Sequence, residues 1–264
     1  MSPPAIFGRS AGRPLVFGHR GAAAIATENT LASIRAAALA GADGVEIDVR
    51  PSRDGVAIVF HDRTLARLAG RPEALRALGV DALRAVRVGG EPIPTLAEVL
   101  ESTGDLLVNI EIKDDARLGD AAFAAHIVAV VRRCGAERRV LLSCFNPATL
   151  LRVRAIAPAL PTGLLFAAGH RQGTPRRLGW GSLLAPPRLP VEWTRPLVRP
   201  FSLHPEASLV TAPRLGRWHR EGYAVFAWTV DDAEELRRLT RLGVDGIITN
   251  DPARAIAALR EEAA

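Results

Sequence analysis

Gly44-Val45-Glu46-Ile47-Asp48-Val49, followed by Arg50 to Gly55 (RPSRDG) and Val56 to Asp62 (VAIVFHD), is the stretch on which the reading of this 264-residue chain turns. Both ends are apolar, β-branched runs of the kind that form buried strands. The first nevertheless carries two carboxylates, Glu46 and Asp48, at a spacing of two, which puts both on one face of a strand. Two unpaired carboxylates on a buried face are costly, and a bound cation offsets that cost. Asp54-Gly55 is a hairpin-turn dipeptide. A two-residue turn there sets Asp48 opposite His61, and a four-residue turn from Ser52 to Gly55 sets Glu46 opposite His61. Directly opposed residues share a face, so both registers bring His61 to the carboxylates. A three-residue turn would send it to the other face. The competing reading is a polar edge strand with an incidental histidine.

The rest of the chain has room for one large barrel or two small domains. Its 48% apolar residues support a sizeable core. No apolar run approaches the ~20 residues that cross a membrane, and the N-terminus lacks a basic-then-apolar signal layout. The two cysteines, Cys134 and Cys144, suit a reducing compartment. The expectation is a soluble, cytoplasmic protein. The net charge of +6 favours anionic partners. The basic residues are scattered, however, with no aromatic-interleaved patch for stacking bases, so nucleic acid is not expected as a partner.

Upstream of the central stretch, residues 1–13 read as a loose arm. Pro14 to Gly18 then reads as a short buried strand ending in His19-Arg20-Gly21. Thr27-Glu28-Asn29-Thr30 precedes an Ala-rich helix from Leu31 to Ala40. Thr27 or Asn29 would cap it, and Glu28 and Asn29 would equally suit a loop facing a site. Downstream, residues 62–94 hold a weak helical patch (Arg71 to Val80) and read as an insertion over one end of the fold. Thr95 with Glu98 is a capping-box pattern for a helix from Leu96 to Ser102.

Leu106 to Lys113 (LLVNIEIK) is a further buried strand, and Glu111 and Lys113 repeat the spacing of two at its end. Lys113 is the single lysine of the chain. The competing reading there is a Glu–Lys pair on a solvent-facing edge. Leaving out the hairpin return, eight strands begin near residues 15, 44, 106, 139, 162, 201, 224 and 244, the seventh running from Tyr223 to Val230. Most alternate with helices. That alternation over roughly 250 residues predicts a single α/β domain, a parallel (β/α)8 TIM barrel with a short cap-like insertion after the second strand.

Sites in such barrels lie at the C-terminal ends of the strands. Those ends present His19, Arg20, Glu46, Asp48, Glu111, Lys113, Ser143, Phe145, His204 and Trp228, and His61 joins them on the hairpin return. Three carboxylates without a thiolate make a hard-oxygen site suited to Mg²⁺ or Ca²⁺. Two histidines suit acid–base work, and Arg20 and Lys113 suit a phosphate-like anion. Together these groups describe metal-assisted phosphodiester cleavage.

At this point the sequence resembles a known family. Gly18-His19-Arg20-Gly21, Glu28-Asn29-Thr30, Glu46-Ile47-Asp48-Val49, Asp54-Gly55, His61-Asp62, Glu111-Ile112-Lys113, Trp228-Thr229-Val230 and Asp245 to Pro252 (DGIITNDP) occur in this order. The set is similar to that of the glycerophosphodiester phosphodiesterases, from about residue 15 to 255. The resemblance implies a barrel related to the phosphoinositide phospholipases C. It implies one divalent cation held by Glu46, Asp48 and Glu111, an acid–base pair of His19 and His61, and phosphate binding by Arg20 and Lys113. Glu28, His204 and Trp228 are expected in the substrate-binding wall. The implied reaction cleaves a small-molecule glycerophosphodiester to sn-glycerol 3-phosphate and an alcohol, with 62–94 as a small cap over the glycerol end.

Two other readings remain. The same site would suit lysophospholipids, with the Trp-bearing 167–199 region (Trp180, Trp193) making transient contact with a membrane surface. A non-catalytic barrel that holds a sugar phosphate is the other.

Overall fold

A computed structural model of the chain describes Phe7 and residues 12–114, 119–168 and 191–263. In chain order its strands are β1 (Leu15–His19), β2 (Gly44–Pro51), β3 (Ala57–Val59), β4 (Arg87–Val88), β5 (Glu91–Pro92), β6 (Leu107–Ile112), β7 (Val140–Cys144), β8 (Thr162–Phe166), β9 (Ser202–Pro205), β10 (Ala224–Ala227) and β11 (Gly246–Thr249). Eight of these, β1, β2 and β6 to β11, pair in parallel, and β1 pairs with both β2 and β11 to close the barrel. Helices lie between the strands, so the fold is a TIM barrel. Each barrel strand begins within two residues of its expected position. The seventh is shorter than expected, because regular pairing stops at Ala227.

Side-chain alternation explains the two cores. Val45, Ile47 and Val49 of β2 and Val108, Ile110 and Ile112 of β6 face outward, into the layer shared with the helices. The inward face is filled lower down by Leu15, Phe17, Leu107, Leu141, Phe226 and Ile248. The rings of Phe17 and Phe226 meet edge to face at 5.6 Å. They fit because Gly44 and Gly246 are glycines: a Cβ there would lie 2.5 Å and 2.2 Å from these rings. This plug fills the lower barrel and leaves the C-terminal ends of the strands to carry polar groups. Phe7 belongs to the plug. It is 1% exposed and packs edge-on against Phe201 at 6.2 Å, so at this residue the N-terminal arm is anchored rather than loose.

The helix Leu96–Ser102 carries the expected Thr95–Glu98 capping box. The helix Leu31–Leu39 is capped by Thr30, not by Thr27 or Asn29, and Ser33 completes the box. Thr27 contributes its carbonyl to the Thr30 hydroxyl, which leaves the Asn29 side chain for other partners.

The hairpin differs from both favoured registers. β3 opposes β2 with Val49 facing Val59, Arg50 facing Ile58 and Pro51 facing Ala57. The Ser52 N–H donates to Val56 O at 3.0 Å, and the Ser52 hydroxyl accepts from the Val56 N–H at 2.9 Å. These bonds fix a three-residue turn of Arg53, Asp54 and Gly55, with Gly55 at φ +81°. In that register the ladder would send His61 away from the carboxylates. The ladder stops first. The Phe60 N–H still donates to Asp48 O, but the Phe60 ring packs into a separate core with Leu65, Leu75, Leu83 and Ile93. His61 follows the chain out of the sheet, and its carbonyl accepts from Arg50 Nε at 2.6 Å. That third core is the insertion. Of its helical turns, Leu75–Ala77 lies within the expected patch, Ala66–Ala69 precedes it and Val80–Arg84 begins at its end.

No helix among the described residues is long and apolar enough to cross a membrane. Trp180 and the side chain of Trp193, which carried the expected membrane-surface contact, lie outside the described residues.

Candidate active site

Strand register brings the polar side chains together. His19 of β1 stands beside Glu46 of β2, Asp48 of β2 beside Glu111 of β6, and Glu111 beside Ser143 of β7. Partners in a parallel ladder share a face, so the inward carboxylates of two strands form one cluster. Glu46, Asp48 and Glu111 are all buried and each offers an oxygen within 4.8 Å of the others.

The cations close around this triad. Lys113 Nζ lies 3.0 Å from Asp48 Oδ1 and pairs also with Glu111 Oε1. Arg20 Nε lies 3.3 Å from Asp48 Oδ2, and an Arg20 terminal nitrogen donates to Glu28 Oε1 at 2.8 Å. Arg20 adopts φ +53°, and this turn directly after β1 aims its backbone N–H at Glu46 Oε2, 3.0 Å away. Asn29, also left-handed at φ +57°, donates from Nδ2 to Asp48 Oδ2 at 2.8 Å and accepts the Asp48 N–H at 3.1 Å.

The carboxylates differ in what they feel. Burial, reinforced by Asp48 and Glu111, pushes the Glu46 carboxyl well above its ordinary value. Burial also pushes Asp48 upward, but Lys113, Arg20 and His61 together with the Asn29 amide hold it well below the carboxylate range. Burial raises Glu111 despite Lys113. Lys113 resists the downward push of its own burial, because Asp48 and Glu111 keep it firmly protonated.

His19 and His61 flank the triad from two directions. His19 Nδ1 lies 2.7 Å from Asn250 Oδ1, and its Nε2 is 3.9 Å from Glu46 Oε2. His61 Nδ1 lies 2.7 Å from Asp62 Oδ1. Burial lowers both histidines, with Arg20 adding to the effect at His19. Asp62 in turn accepts from Arg67 Nε at 2.7 Å, and Arg67 holds Glu28 with two nitrogens. Glu28 thus sits between Arg20 and Arg67, which keep its carboxyl low against its burial.

Two expected residues sit apart from this cluster. His204 is wholly buried inside the barrel, with Nε2 2.8 Å from the Ser202 hydroxyl and its ring against Phe226. Trp228 is partly exposed at the mouth. Its indole N–H donates to His204 O at 2.8 Å, and its ring meets Phe145 edge-on at 5.6 Å. Of the partners of the site groups, Asn29 was offered to a site-facing loop as well as to the helix cap, and it bonds Asp48. Sequence reasoning left out Asp62, Arg67, Asp231 and Asn250. Two of these, Asp62 and Asn250, stand inside quoted motifs, and that adjacency was the available signal. Arg67 and Asp231 carried none.

Comparison with known proteins agrees with this architecture. The profile of the glycerophosphoryl diester phosphodiesterase family matches residues 19–254. A glycerophosphodiester phosphodiesterase of Caldanaerobacter subterraneus subsp. tengcongensis is 33% identical over 260 residues, covering 94% of this chain and 99% of that protein. A crystal structure from Silicibacter pomeroyi superposes with a TM-score of 0.86 over 99% of each chain at 26% identity. A phosphodiesterase from Oleispira antarctica, solved in complex with the product sn-glycerol-3-phosphate, superposes with a TM-score of 0.79 at 25% identity, over 94% of this chain and 97% of that one.

Fold and site thus define a (β/α)8-barrel phosphoric diester hydrolase. The chain belongs to the glycerophosphoryl diester phosphodiesterase family.

Proposed function

We propose that this protein hydrolyses glycerophosphodiesters to sn-glycerol 3-phosphate and an alcohol, with one divalent cation, Mg²⁺ or Ca²⁺, and with His19 and His61 as the acid–base pair. The observation that carries the reading is the buried triad of Glu46, Asp48 and Glu111, in which Glu46 Oε1 has no hydrogen-bond partner among the described residues. All three donors are carboxylate oxygens, which fits a hard cation. Glu46, Asp48 and Glu111 would hold it, and it would supply neutralisation of the phosphate charge. The product seen in the Oleispira relative supports the substrate class.

The side chains supply the remaining steps. Arg20 and Lys113 reach the same triad and hold the anionic phosphate. One neutral histidine takes the proton of the attacking oxygen at its Nε2 as the new P–O bond forms. The other, entering as imidazolium, gives its proton to the departing alkoxide as the old P–O bond breaks. Glu28 and Arg67 hold Arg20 and Asp62 in place, and Trp228 forms part of the mouth. A cytoplasmic location is part of the same reading, supported by the free thiols Cys134 and Cys144.

The test is release of glycerol 3-phosphate from glycerophosphocholine and glycerophosphoethanolamine under chelator, then with Mg²⁺ or Ca²⁺ restored. Release that stops with chelator and returns with metal is expected. Release insensitive to chelator overturns the metal assignment, and absence of release under every condition overturns the substrate class.

A further inference from the structure

Behind His19 a hydrogen-bonded chain runs away from the triad into the loop that follows β10. Asn250 Oδ1 faces His19 Nδ1 at 2.7 Å. The other end of the same amide, Nδ2, lies 2.6 Å from Asp231 Oδ2. Asp231 Oδ1 accepts two further bonds, from the Asn250 N–H at 2.8 Å and the Thr249 hydroxyl at 3.0 Å. Thr249 is buried at the end of β11, and its own hydroxyl accepts the Asp251 N–H at 3.2 Å, so the Asp231 side chain is held at several points.

The chemistry of these partners has one consistent arrangement. An ionised carboxylate only accepts. The nitrogen of the Asn250 amide must therefore face Asp231, and its oxygen must face His19. An oxygen in that place requires a proton on His19 Nδ1. A neutral imidazole carries one ring proton, so the lone pair is left on Nε2, the nitrogen that faces Glu46. We propose that Asp231 is a positioning residue which, through Asn250, fixes His19 as the Nδ1–H tautomer and keeps Nε2 available to the substrate. The proposal rests on the reading of His19 as an acid–base residue, and tautomer and turnover can be measured separately.

Asp231→Asn breaks the logic with little change of shape. The new amide accepts at one end from Thr249 and the Asn250 backbone, but presents NH2 toward the Asn250 NH2. Turning over the Asn250 amide relieves that clash and offers NH2 to His19 Nδ1, which moves the ring proton to Nε2. The charge-conserving exchange Asp231→Asn with Asn250→Asp restores the original pattern. The carboxylate at position 250 then accepts from His19 Nδ1–H, and the amide at position 231 donates to it.

The experiment is 15N-edited NMR of the His19 ring in the metal-free protein at a pH where it is neutral, with signals assigned by loss in His19→Gln. It is paired with kcat and KM on glycerophosphocholine with Mg²⁺. Expected are an Nδ1–H pattern in the wild type, an Nε2–H pattern in Asp231→Asn with kcat lower by about 10²-fold and KM little changed, and return of both pattern and most of the rate in the exchange variant. An Nδ1–H pattern that persists in Asp231→Asn overturns the proposal, whatever the rate. If Asp231→Asn does not fold, the exchange variant decides alone: an Nε2–H pattern there overturns the proposal. A tautomer that switches while kcat stays at the wild-type value upholds the relay and overturns the catalytic reading of His19.

Discussion

Arg67, at the start of the insertion, grips Glu28 of the barrel loop with two nitrogens at 2.8 and 2.6 Å, although the residues are 39 apart in sequence. The same guanidinium donates to Asp62 at 2.7 Å. Since Glu28 bonds Arg20 and Asp62 bonds His61, one side chain spans the supports of the proposed phosphate-binding group and of a proposed acid–base group. Arg67 is about half exposed, and exposed pairs add little to stability. Arg67→Ala is therefore expected to leave the unfolding free energy within about 0.5 kcal/mol of wild type while lowering kcat/KM about tenfold through misplacement. Arg67→Lys should fall between, because an ammonium cannot reproduce the fork. Wild-type turnover in Arg67→Ala would show that the clamp has no bearing on either group.

Of the three buried carboxylates, Glu46 is the one that burial and its acidic neighbours push well above its ordinary value. Its folded-state pKa lies above the unfolded value, so its contribution to stability is full below about pH 4.3 and is lost as pH rises through the folded pKa. Asp48 is shifted the opposite way, but it is present in both proteins compared. In chelator, Glu46→Gln should be more stable than wild type at pH 7, and the gap should close as pH falls toward about 4. Added Mg²⁺ or Ca²⁺ should raise the wild-type Tm and leave that of Glu46→Gln nearly unmoved. A pH-independent gap, or equal metal shifts in both proteins, contradicts a cation site at Glu46.

The barrel was legible because its strands announce themselves by apolar runs at regular intervals, and the site because Glu46, Asp48 and Glu111 interrupt those runs. Register between strands then did the assembly, setting His19 beside Glu46 and Asp48 beside Glu111. The hairpin shows where such counting fails. Turn length depends on side-chain bonds such as those of Ser52 to Val56, which no pattern of apolar residues records. His61 reaches the field of Asp48 because the ladder ends at Val59 and not because of the face it would have occupied. Arg67 and Asp231 were silent in the sequence for a related reason: each meets its partners only through tertiary closure, from a stretch with no distinctive composition.

His61 departs from the sheet on a short leash, with its carbonyl on Arg50 and its ring on Asp62. An ionised Asp62 carboxylate accepts a hydrogen bond from Nδ1–H, which in the proposed role leaves Nε2 to face the substrate. His61→Ala should lower kcat by ~10²–10⁴-fold with KM changed far less. Asp62→Asn should cost less than the full loss of the ring, because an amide oxygen can still accept from Nδ1. Steady-state kinetics on glycerophosphocholine decides it, and a His61→Ala enzyme with normal kcat removes His61 from the acid–base pair.

His204 tests the barrel interior. Among the described residues its Nδ1 has no hydrogen-bond partner, and a Cβ on Gly163 would lie 2.5 Å from its Nε2, so the ring fills space that glycine leaves open. Burial carries its pKa down to about 3. A histidine lowered in the fold favours the unfolded chain once that chain begins to protonate. Its contribution to stability is therefore full above about pH 6.5 and is lost as pH falls toward the folded value. Wild type should lose stability more steeply than His204→Gln between pH 7 and pH 4, by up to about 3 kcal/mol at the acid end. Urea midpoints at three pH values across that range measure it. The acid-side slope is the diagnostic quantity, since the substitution also changes packing at every pH. Parallel slopes would mean that the ring accepts its proton inside the folded barrel, in contact with Ser202.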